Sequence, residues 1–408
     1  MPSMKRQASL LFIFATIAID SIGLGIIIPV LPDVIRRFVS DATQVSRTYG
    51  YFVAVYAILQ FLSSPLLGSL SDRFGRRPVL LVSLFGAAID YFFMAFAPTL
   101  PLLFLGRVVS GVSGASYTVA SAYIADISND ENRSKNFGVI GAGFGLGFIL
   151  GPAIGGPLAT LGDQYPFLAA GGINFLNLLF GALVLPESLP PNRRRKVELA
   201  SLNPLRSFRN TFAIRGIFGL LLVHVLLQLA GQTHPSIWTL YTQHRYGWSS
   251  AEVGLSLAAV GVMSAISQGA LTGLIVKRIG EAKTLVLGSL GEAFGFLCFG
   301  LATQGWMIYL ILVVSSVFWA VQPALQSLIS REAPPETQGE LQGTLMSLGS
   351  LCGIVNPLVM TQLFSLTSNP ERSPYMPGSP YLLGSLMLGF AFLIALRWYS
   401  GAAAPARS

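Results

Sequence analysis

Two stretches of the chain, GSLSDRFG at residues 68–75 and GLIVKRIG at residues 273–280, repeat one pattern of glycine, apolar and basic residues. They begin 205 residues apart, which is about half of the 408-residue chain. Gly138 and Pro152 have counterparts at the same offset, Gly343 and Pro357. The sequence therefore predicts two similar halves joined head to tail. In a membrane chain, such halves indicate a transporter whose substrate path lies between them.

The composition is that of a membrane protein. Hydrophobic residues make up 52% of the chain, charged residues only 11%, and the mean hydropathy is +0.63. A soluble domain carries roughly 25% charged residues, so most of this surface must face lipid. Apolar runs of about 20 residues suit helices that cross a ~30 Å hydrocarbon core. We predict an all-α protein with twelve transmembrane helices at 8–31, 48–68, 79–97, 101–123, 137–160, 165–186, 213–234, 250–275, 283–303, 306–329, 341–366 and 379–398.

The basic residues are unevenly placed along the chain. With a cytoplasmic N-terminus, most of the 26 lysines and arginines fall on the cytoplasmic side, which is the positive-inside pattern. An even number of helices then predicts that both termini are cytoplasmic. This placement explains the net charge of +8, so we expect no nucleic-acid partner. Pro190, Pro191 and the basic run at 193–196 mark a cytoplasmic linker at 187–212, between six-helix bundles at 1–186 and 213–408.

Few residues suit catalysis or metal binding. Cys298 and Cys352 lie in predicted helices and indicate packing more than a disulfide. The three histidines, His224, His234 and His244, are ten residues apart, which is not a local metal-ligand spacing. The sequence has no evident nucleophile–base pair and no Gly-x-x-x-x-Gly-Lys-Ser/Thr loop for ATP. We therefore expect no enzyme activity, no metal and no cofactor.

Four ionisable residues lie inside predicted helices: Asp20, Asp90, Arg107 and Glu292. An Asp or Arg at a helix centre costs roughly 2.5–3.5 kcal/mol on insertion scales, so such residues suggest function by default. The three carboxylates lie about 14–18 Å deep at 1.5 Å per residue. Each could exchange a proton as its exposure changes, or each could instead form a structural ion pair or hydrogen bond. Arg107 could hold a helix pair closed, pair with a carboxylate or sense protonation.

Motifs along the whole chain resemble one family. Residues 20–32, DSIGLGIIIPVLP, have the form of a drug-exporter motif, and residues 68–80, GSLSDRFGRRPVL, match a transporter loop motif called motif A nearly throughout. Residues 103–111, LFLGRVVSG, resemble motif B. These stretches resemble the major facilitator superfamily, and more narrowly its tetracycline-type drug–proton antiporters. The resemblance at residues 228–248 also makes Gln228, Gln232, Trp238 and, further on, Ser264 candidates for the substrate path.

The fifth predicted helix carries a glycine stripe that resembles the antiporter motif C in full. In this family, motif C accompanies export by exchange and is generally absent from symporters. Glycines let another helix approach closely, and a proline can bend the helix. Ordinary small-residue packing is the alternative. The second half keeps Gly353 and Pro357 but has Asn356 before the proline. The stripe comprises Gly138, Gly147, Gly151, Pro152, Gly155 and Gly156.

The loop at 68–80 predicts a cytoplasmic gate. Asp72 is an acid in a loop that needs only basic residues for topology, and a carboxylate near a helix N-terminus gains about 0.3–1 kcal/mol. We expect Arg73 to pair with Asp126. The second half has Lys277 and Arg331 in place of these two acids, so the gate is predicted to be asymmetric. The gate residues are Gly68, Asp72, Arg73, Gly75, Arg76 and Asp126.

The sequence thus predicts a major facilitator fold that exports an amphipathic small molecule in exchange for protons across the inner membrane, by alternating access. We expect this substrate, protons and the lipid bilayer as partners, and a functional monomer. Ser264 and Glu292 stand where tetracycline pumps typically have a histidine and an aspartate, which predicts weak or no tetracycline export. One rival is a proton-coupled symporter that imports a small polar metabolite, against which motif C argues. Another is a membrane sensor or enzyme.

Overall fold

The computed structural model describes residues 3–114, 116–128, 133–194, 217–332, 338–371 and 373–403. Within these ranges, twelve helices are long and apolar enough to cross a membrane, which confirms the predicted fold class. Their bounds are α1 Ser3–Ile27, α2 Ala42–Phe74, α3 Arg76–Phe96, α4 Leu100–Ile127, α5 Arg133–Ala159, α6 Tyr165–Val184, α7 Ile217–Tyr246, α8 Ser250–Ile279, α9 Glu281–Leu301, α10 Gly305–Glu332, α11 Gln338–Thr367 and α12 Ser379–Ala403.

Several spans are not continuous α-helix. The first span ends at Ile27, before Pro29, and a short helix at Leu31–Arg36 follows the turn. Proline cannot donate a backbone hydrogen bond, so the helix predicted to reach residue 31 stops earlier. The other irregular spans are α4, in pieces Leu100–Ser113 and Ser116–Ile127, α7, in pieces Ile217–Gly231 and Thr233–Tyr246, α8, with a π turn at Ser267–Leu271, and α10, with a 3-10 turn at Ser316–Ala320.

Helix α7 differs most from its predicted bounds, because it continues to Tyr246 instead of ending near residue 234. Its polar second piece reads as a loop in the sequence. In the structure the Thr242 hydroxyl donates to the Trp238 carbonyl at 2.8 Å, so its polarity is satisfied within the helix. Trp238 and Thr242 are buried. The polar residues after 234 therefore predicted a loop, but they form a helix whose side chains are buried against other parts of the protein.

The chain packs as two compact units. The first comprises Met1–Asp41, Phe52–Asn203 and Trp248–Gly261, and the second comprises Ala42–Tyr51, Pro204–Gly247 and Val262–Ser408. Helices α2 and α8 thus contribute residues to both units. The division into 1–186, 187–212 and 213–408 stays a prediction, and residues 195–216 of the linker region lie outside the described residues.

Each unit has its own helix packing. In the first, α1 packs along α5 and α3 packs along α6. Phe12, Ile13, Leu80 and Tyr123 are among the apolar side chains that fill its core. In the second unit, α7 and α9 both pack along α12. These contacts place the predicted functional residues on helix faces that pack against other helices.

Candidate functional site

A buried ion pair lies inside the first unit. Asp90 of α3 is 0% exposed, and an Arg107 guanidinium nitrogen on α4 lies 3.5 Å from its carboxylate. Gly106 leaves room for this carboxylate, because a Cβ there would lie 2.8 Å from Asp90 Oδ1. Of the three roles considered for Arg107, the structure shows pairing with a carboxylate. The pairing offsets part of the cost of burying two charges.

Two aromatic rings of α2 cover the Arg107 guanidinium. The rings of Phe52 and Tyr56 have centroids 5.0 and 5.2 Å from its central carbon, close enough for cation–π attraction. The Met94 sulfur lies 3.4 Å from the same guanidinium. Sequence reasoning missed these residues. The four-residue spacing of Phe52 and Tyr56 places them on one helix face, but nothing in the sequence ties that face to Arg107.

Asp20 of α1 lies in the same unit as this pair, and it is half-buried. Gly23, one turn further along α1, leaves room for the Tyr91 hydroxyl, which would lie 2.8 Å from an added Cβ. Three of the four predicted intramembrane charges, Asp20, Asp90 and Arg107, therefore lie in one unit.

Glu292 lies in the second unit, near the centre of α9. It is half-buried, and no hydrogen bond or ion pair joins its carboxylate to another of the described residues. At 3.6 residues per turn, Glu292 lies on the side of α9 opposite its exposed apolar residues. A half-buried acid on that side, without a partner among the described residues, is available to bind a proton. The exposed apolar residues are Leu287, Leu290, Phe294, Leu297 and Leu301.

The predicted substrate-path residues have different surroundings. Gln228 and Gln232 are half-buried on α7. Trp238 is 1% exposed and packs against His234, with ring centroids 5.3 Å apart. The Ser264 hydroxyl accepts a hydrogen bond from the Gln268 side chain at 2.8 Å. In this structure the glutamines are thus more accessible than Trp238, and a role for all four on the path stays a prediction.

The glycine stripe of α5 packs closely on α1. A Cβ at Gly151 would lie 2.7 Å from the Gly25 Cα and from the Ile22 carbonyl oxygen. Gly147 and Gly155 face α1 in the same way, and their added Cβ atoms would overlap Ser21 and Ile26. Real Cβ atoms do not approach this closely, so the helix contact depends on glycine. Gly138 lies in α5, but its contacts are outside the described side chains.

A second face of α5 packs on the start of α8, within the first unit. A Cβ at Gly156 would lie 3.2 Å from the Gly254 Cα, and one at Gly254 would overlap the Pro152 carbonyl. Motif C therefore serves two helix contacts, one with α1 and one with α8. The sequence predicted the close approach but not its second partner, because Gly254 is distant in the chain.

An ion-pair cluster joins the loop after α2 to the end of α4. Arg76 lies 2.7 Å from Asp72 and 3.0 Å from Asp126, and it donates to the Ser71 hydroxyl at 2.6 Å. The expected pair of Arg73 with Asp126 is therefore wrong for this structure. Arg73 instead stacks on Phe74, 5.1 Å from the ring centroid. The turn at Gly75 is the reason, because Arg76 begins α3 and its guanidinium reaches acids on both α2 and α4.

Glu187 completes this cluster, and sequence reasoning did not identify it. Its two carboxylate oxygens accept the backbone N–H groups of Arg76 at 2.9 Å and Arg77 at 3.2 Å. A carboxylate at a helix N-terminus is favoured by the free N–H groups and the dipole. Gly75 precedes this helix with φ 106°, a conformation that residues with a Cβ rarely adopt. Gly68 lies in α2, where a Cβ would make only ordinary contact with Thr118.

Comparison with known proteins gives consistent results over the full chain. Residues 13–357 match the family model described as Major Facilitator Superfamily. The chain is 41% identical to tetracycline resistance protein class C of Escherichia coli over 90% of this chain and 92% of that protein. It is 41% identical to the class G protein of Vibrio anguillarum over 89% and 92%. The crystal structure of the human organic anion transporter MFSD10 aligns with TM-score 0.70 at 25% identity, over 97% of this chain and 100% of that chain.

Proposed function

This chain belongs to the Major Facilitator Superfamily, and from that premise we propose that it exports an amphipathic small molecule in exchange for protons across the inner membrane. Its named relatives are transporters and not enzymes, and its twelve apolar helices make it a multi-pass membrane protein. Both termini in the cytoplasm and a monomeric working state are parts of the same proposal. The basic residues of the inner loops support the orientation.

The observation that carries the proposal is the packed glycine stripe of α5. Gly147, Gly151 and Gly155 all lie so close to α1 that a Cβ would collide. A complete motif C distinguishes exchangers from symporters in this family, and here every described glycine of the motif is used in a helix contact. Export by exchange is therefore favoured over the symporter alternative.

We assign the coupling proton to Glu292 before Asp90. Asp90 is fully buried and already paired with Arg107. Its carboxylate can therefore take up a proton only if this ion pair opens. Glu292 is only partly buried and has no partner among the described residues. A carboxylate that meets an accessible space can bind and release protons without breaking an existing bond. Asp20, Asp90 and Arg107 then form a cluster that responds to the conformation of the first unit.

The proposed substrate class follows from the named relatives and from two residues, Ser264 and Glu292, that differ from those typical of tetracycline pumps. The relatives named tetracycline resistance proteins make tetracycline the first compound to test. Ser264 cannot titrate, and Glu292 reaches one methylene further than an aspartate. We therefore propose weaker export of tetracycline than of a second amphipathic compound, which could be cationic.

The Arg76 cluster is the proposed cytoplasmic gate. Arg76 bonds to groups on α2 and α4, Glu187 bonds to the start of α3, and the bonds must rearrange if these helices move apart. Gly68, Asp72 and Arg73 lie near the end of α2, and Gly75 connects α2 to α3. Variants of this loop should slow conformational exchange more than they weaken substrate binding.

Drug susceptibility in an efflux-deficient bacterial host tests the function. The host receives the native chain, Glu292→Gln, or Glu371→Gln, a matched control in an exposed loop. Native chain and control should raise tolerance to at least one compound among tetracycline, ethidium and other amphipathic drugs, and a proton uncoupler should abolish the gain. Glu292→Gln should give no gain at equal membrane abundance. Full resistance from Glu292→Gln would refute the proton assignment, and resistance that survives the uncoupler would refute proton coupling.

A further inference from the structure

Helix α7 is interrupted in the middle of its membrane span. Its two pieces end at Gly231 and begin again at Thr233, with Gln232 between them. Pro235 explains the position of the break, because it has no N–H to offer the Gly231 carbonyl and its ring crowds that carbonyl. Within a bilayer, a backbone group without a partner costs several kcal/mol. The N–H groups of Gln232 and Ser236 still donate to the Gln228 and Gln232 carbonyls across the break, so the Gly231 carbonyl is the group that Pro235 deprives of its usual donor.

Asn356 of α11 bonds to α7 on both sides of this break. Its side-chain nitrogen donates to the Leu229 carbonyl at 2.5 Å and to the Thr233 hydroxyl at 3.2 Å. Its oxygen lies 2.7 Å from the Ser236 hydroxyl, which can donate to it or to the Gln232 carbonyl at 2.6 Å. Asn356 is 1% exposed. One buried amide thus connects the residues before the break with the residues after it.

The break presents two glutamine side chains beside α11. Gln228 and Gln232 are half-buried, and neither side-chain amide has a hydrogen-bond partner among the described residues. They lie opposite Gly349 and Gly353, where an added Cβ would be 2.9 and 3.8 Å from the respective amide nitrogens. Glycine leaves this strip of α11 without side chains. Each amide can both donate and accept hydrogen bonds, so the strip suits neutral oxygen and nitrogen groups.

We propose that Asn356 is a positioning residue, which holds the α7 break so that Gln228 and Gln232 bind the hydrogen-bonding edge of the exported molecule. This inference rests on the proposed function for its ligand, but its structural part does not. Asn356 stands 205 residues after Gly151, the glycine of α5 that touches α1. At equivalent positions of the repeat, the first unit thus has a glycine that lets α5 approach α1, and the second has an amide that connects α11 to α7.

Hydrogen exchange tests the brace without any substrate. Purified native protein is compared with Asn356→Ala, Asn356→Leu, which retains volume, and Asn177→Ala. Asn177 is a matched control, because it is also buried and lies 3.3 Å from the Thr16 hydroxyl in the first unit. Both Asn356 variants should increase exchange at residues 229–236 by about tenfold, the effect expected for one lost hydrogen bond, while Asn177→Ala should not. Unchanged exchange in Asn356→Leu would overturn the brace.

Transport kinetics test the link to binding. With tetracycline as the probe, or ethidium where the native protein does not move tetracycline, Asn356→Leu should raise KM about tenfold with little change in kcat. Gln232→Ala should do the same, and the double variant should be no worse than Gln232→Ala alone, because the two act on one contact. If the Asn356 variants do not fold, Thr233→Val, which removes one partner of the amide, should raise KM in the same direction.

The outcomes separate this inference from the function. A fall in kcat without a change in KM would overturn the positioning role. Additive effects of Asn356→Leu and Gln232→Ala on KM would also overturn it. If neither probe is moved by native protein while exchange at residues 229–236 rises in the variants, the exporter proposal fails for these probes and the brace stands.

Discussion

The loops that begin α3 and α9 have the same backbone and opposite charges. Gly75 and Gly280 both precede their helix with positive φ, 106° and 79°, and with similar ψ, 157° and 161°. The residue after each glycine is the first of its helix, α3 or α9, and its side chain forms a 3.0 Å ion pair with a residue near the end of α4 or α10. In the first unit the pair is Arg76 with Asp126. In the second unit the pair at the equivalent positions is Glu281 with Arg331, so its polarity is reversed.

Both halves of the repeat thus have an ion pair at this position, but the acidic and basic partners are exchanged between them. The positive-inside pattern cannot explain Glu281, so the pairs exist to connect helices. The two pairs also differ in burial, because the Arg76 side chain is 10% exposed and that of Arg331 is 70% exposed. Arg76 also bonds to Asp72 and Ser71, whereas among the described residues Glu281 adds only the Ser327 hydroxyl at 2.7 Å. The first loop should therefore contribute more to stability.

The largest expected effect is that of Arg76→Ala. The change leaves Asp126 and Asp72 without their common partner in a partly buried site, and breaking a buried pair typically costs about 3–5 kcal/mol. The midpoint of denaturant unfolding in detergent should fall accordingly, and transport should be lost. A loss no larger than that of Arg331→Ala would show that burial does not distinguish the two loops.

The stability recovered by a charge exchange at the first pair should be the next largest difference. Arg76→Glu alone places an acid beside Asp72 and Asp126 and should be severely impaired. Adding Asp126→Arg recreates the polarity found in the second unit and should recover roughly 1–3 kcal/mol, as coupled pairs do. Asp72 and Glu187 keep the recovery incomplete. Purely additive unfolding energies in this double-mutant cycle would contradict the equivalence of the two pairs.

The loop glycines test the shared backbone. Alanine at Gly75 or Gly280 must adopt a conformation almost restricted to glycine, which costs roughly 1–3 kcal/mol. Gly75→Ala should cost more, because its Cβ would overlap the Glu187 carboxylate, whereas none of the described atoms lies within 4 Å of a Cβ at Gly280. Unfolding midpoints of the two variants provide the measurement. Equal losses would mean that the Glu187 side chain moves aside at no cost.

The smallest effect should come from Arg331→Ala. Its side chain is largely exposed, and an exposed ion pair contributes about 0–1 kcal/mol. The midpoint should change little, and raising the salt concentration should remove most of the difference. A loss above about 2 kcal/mol would contradict the assignment of this pair as the weaker one.

The sequence was sufficient for the helix count, the repeat and the motif C contact, because long apolar runs and glycine stripes act locally. It was not sufficient to identify which side chains pair with each other. Arg73 was expected to bind Asp126, but the turn at Gly75 brings Arg76 to that acid instead. Glu187 lies more than a hundred residues from the helix it caps. Such long-range contacts depend on packing, which no local pattern contains.

Two further residues illustrate the same limit. Asn356 is visible in the sequence as a departure from motif C, but its bonds reach α7 about 120 residues away. Arg107 is visible as an intramembrane charge, but the rings of Phe52 and Tyr56 that cover it are unremarked positions of α2. In both cases the sequence identified the unusual residue, and only the structure identified its surroundings.

The direction of proton movement tests the proposed exchange most directly. Purified protein is reconstituted in liposomes that contain a pH-sensitive dye, and a compound that passes the susceptibility screen is added outside without an imposed pH gradient. The account predicts that the interior becomes more alkaline as the compound enters, because each exchange carries protons outward, and that Glu292→Gln liposomes show no change. Acidification of the interior on compound entry would demonstrate symport and contradict the account.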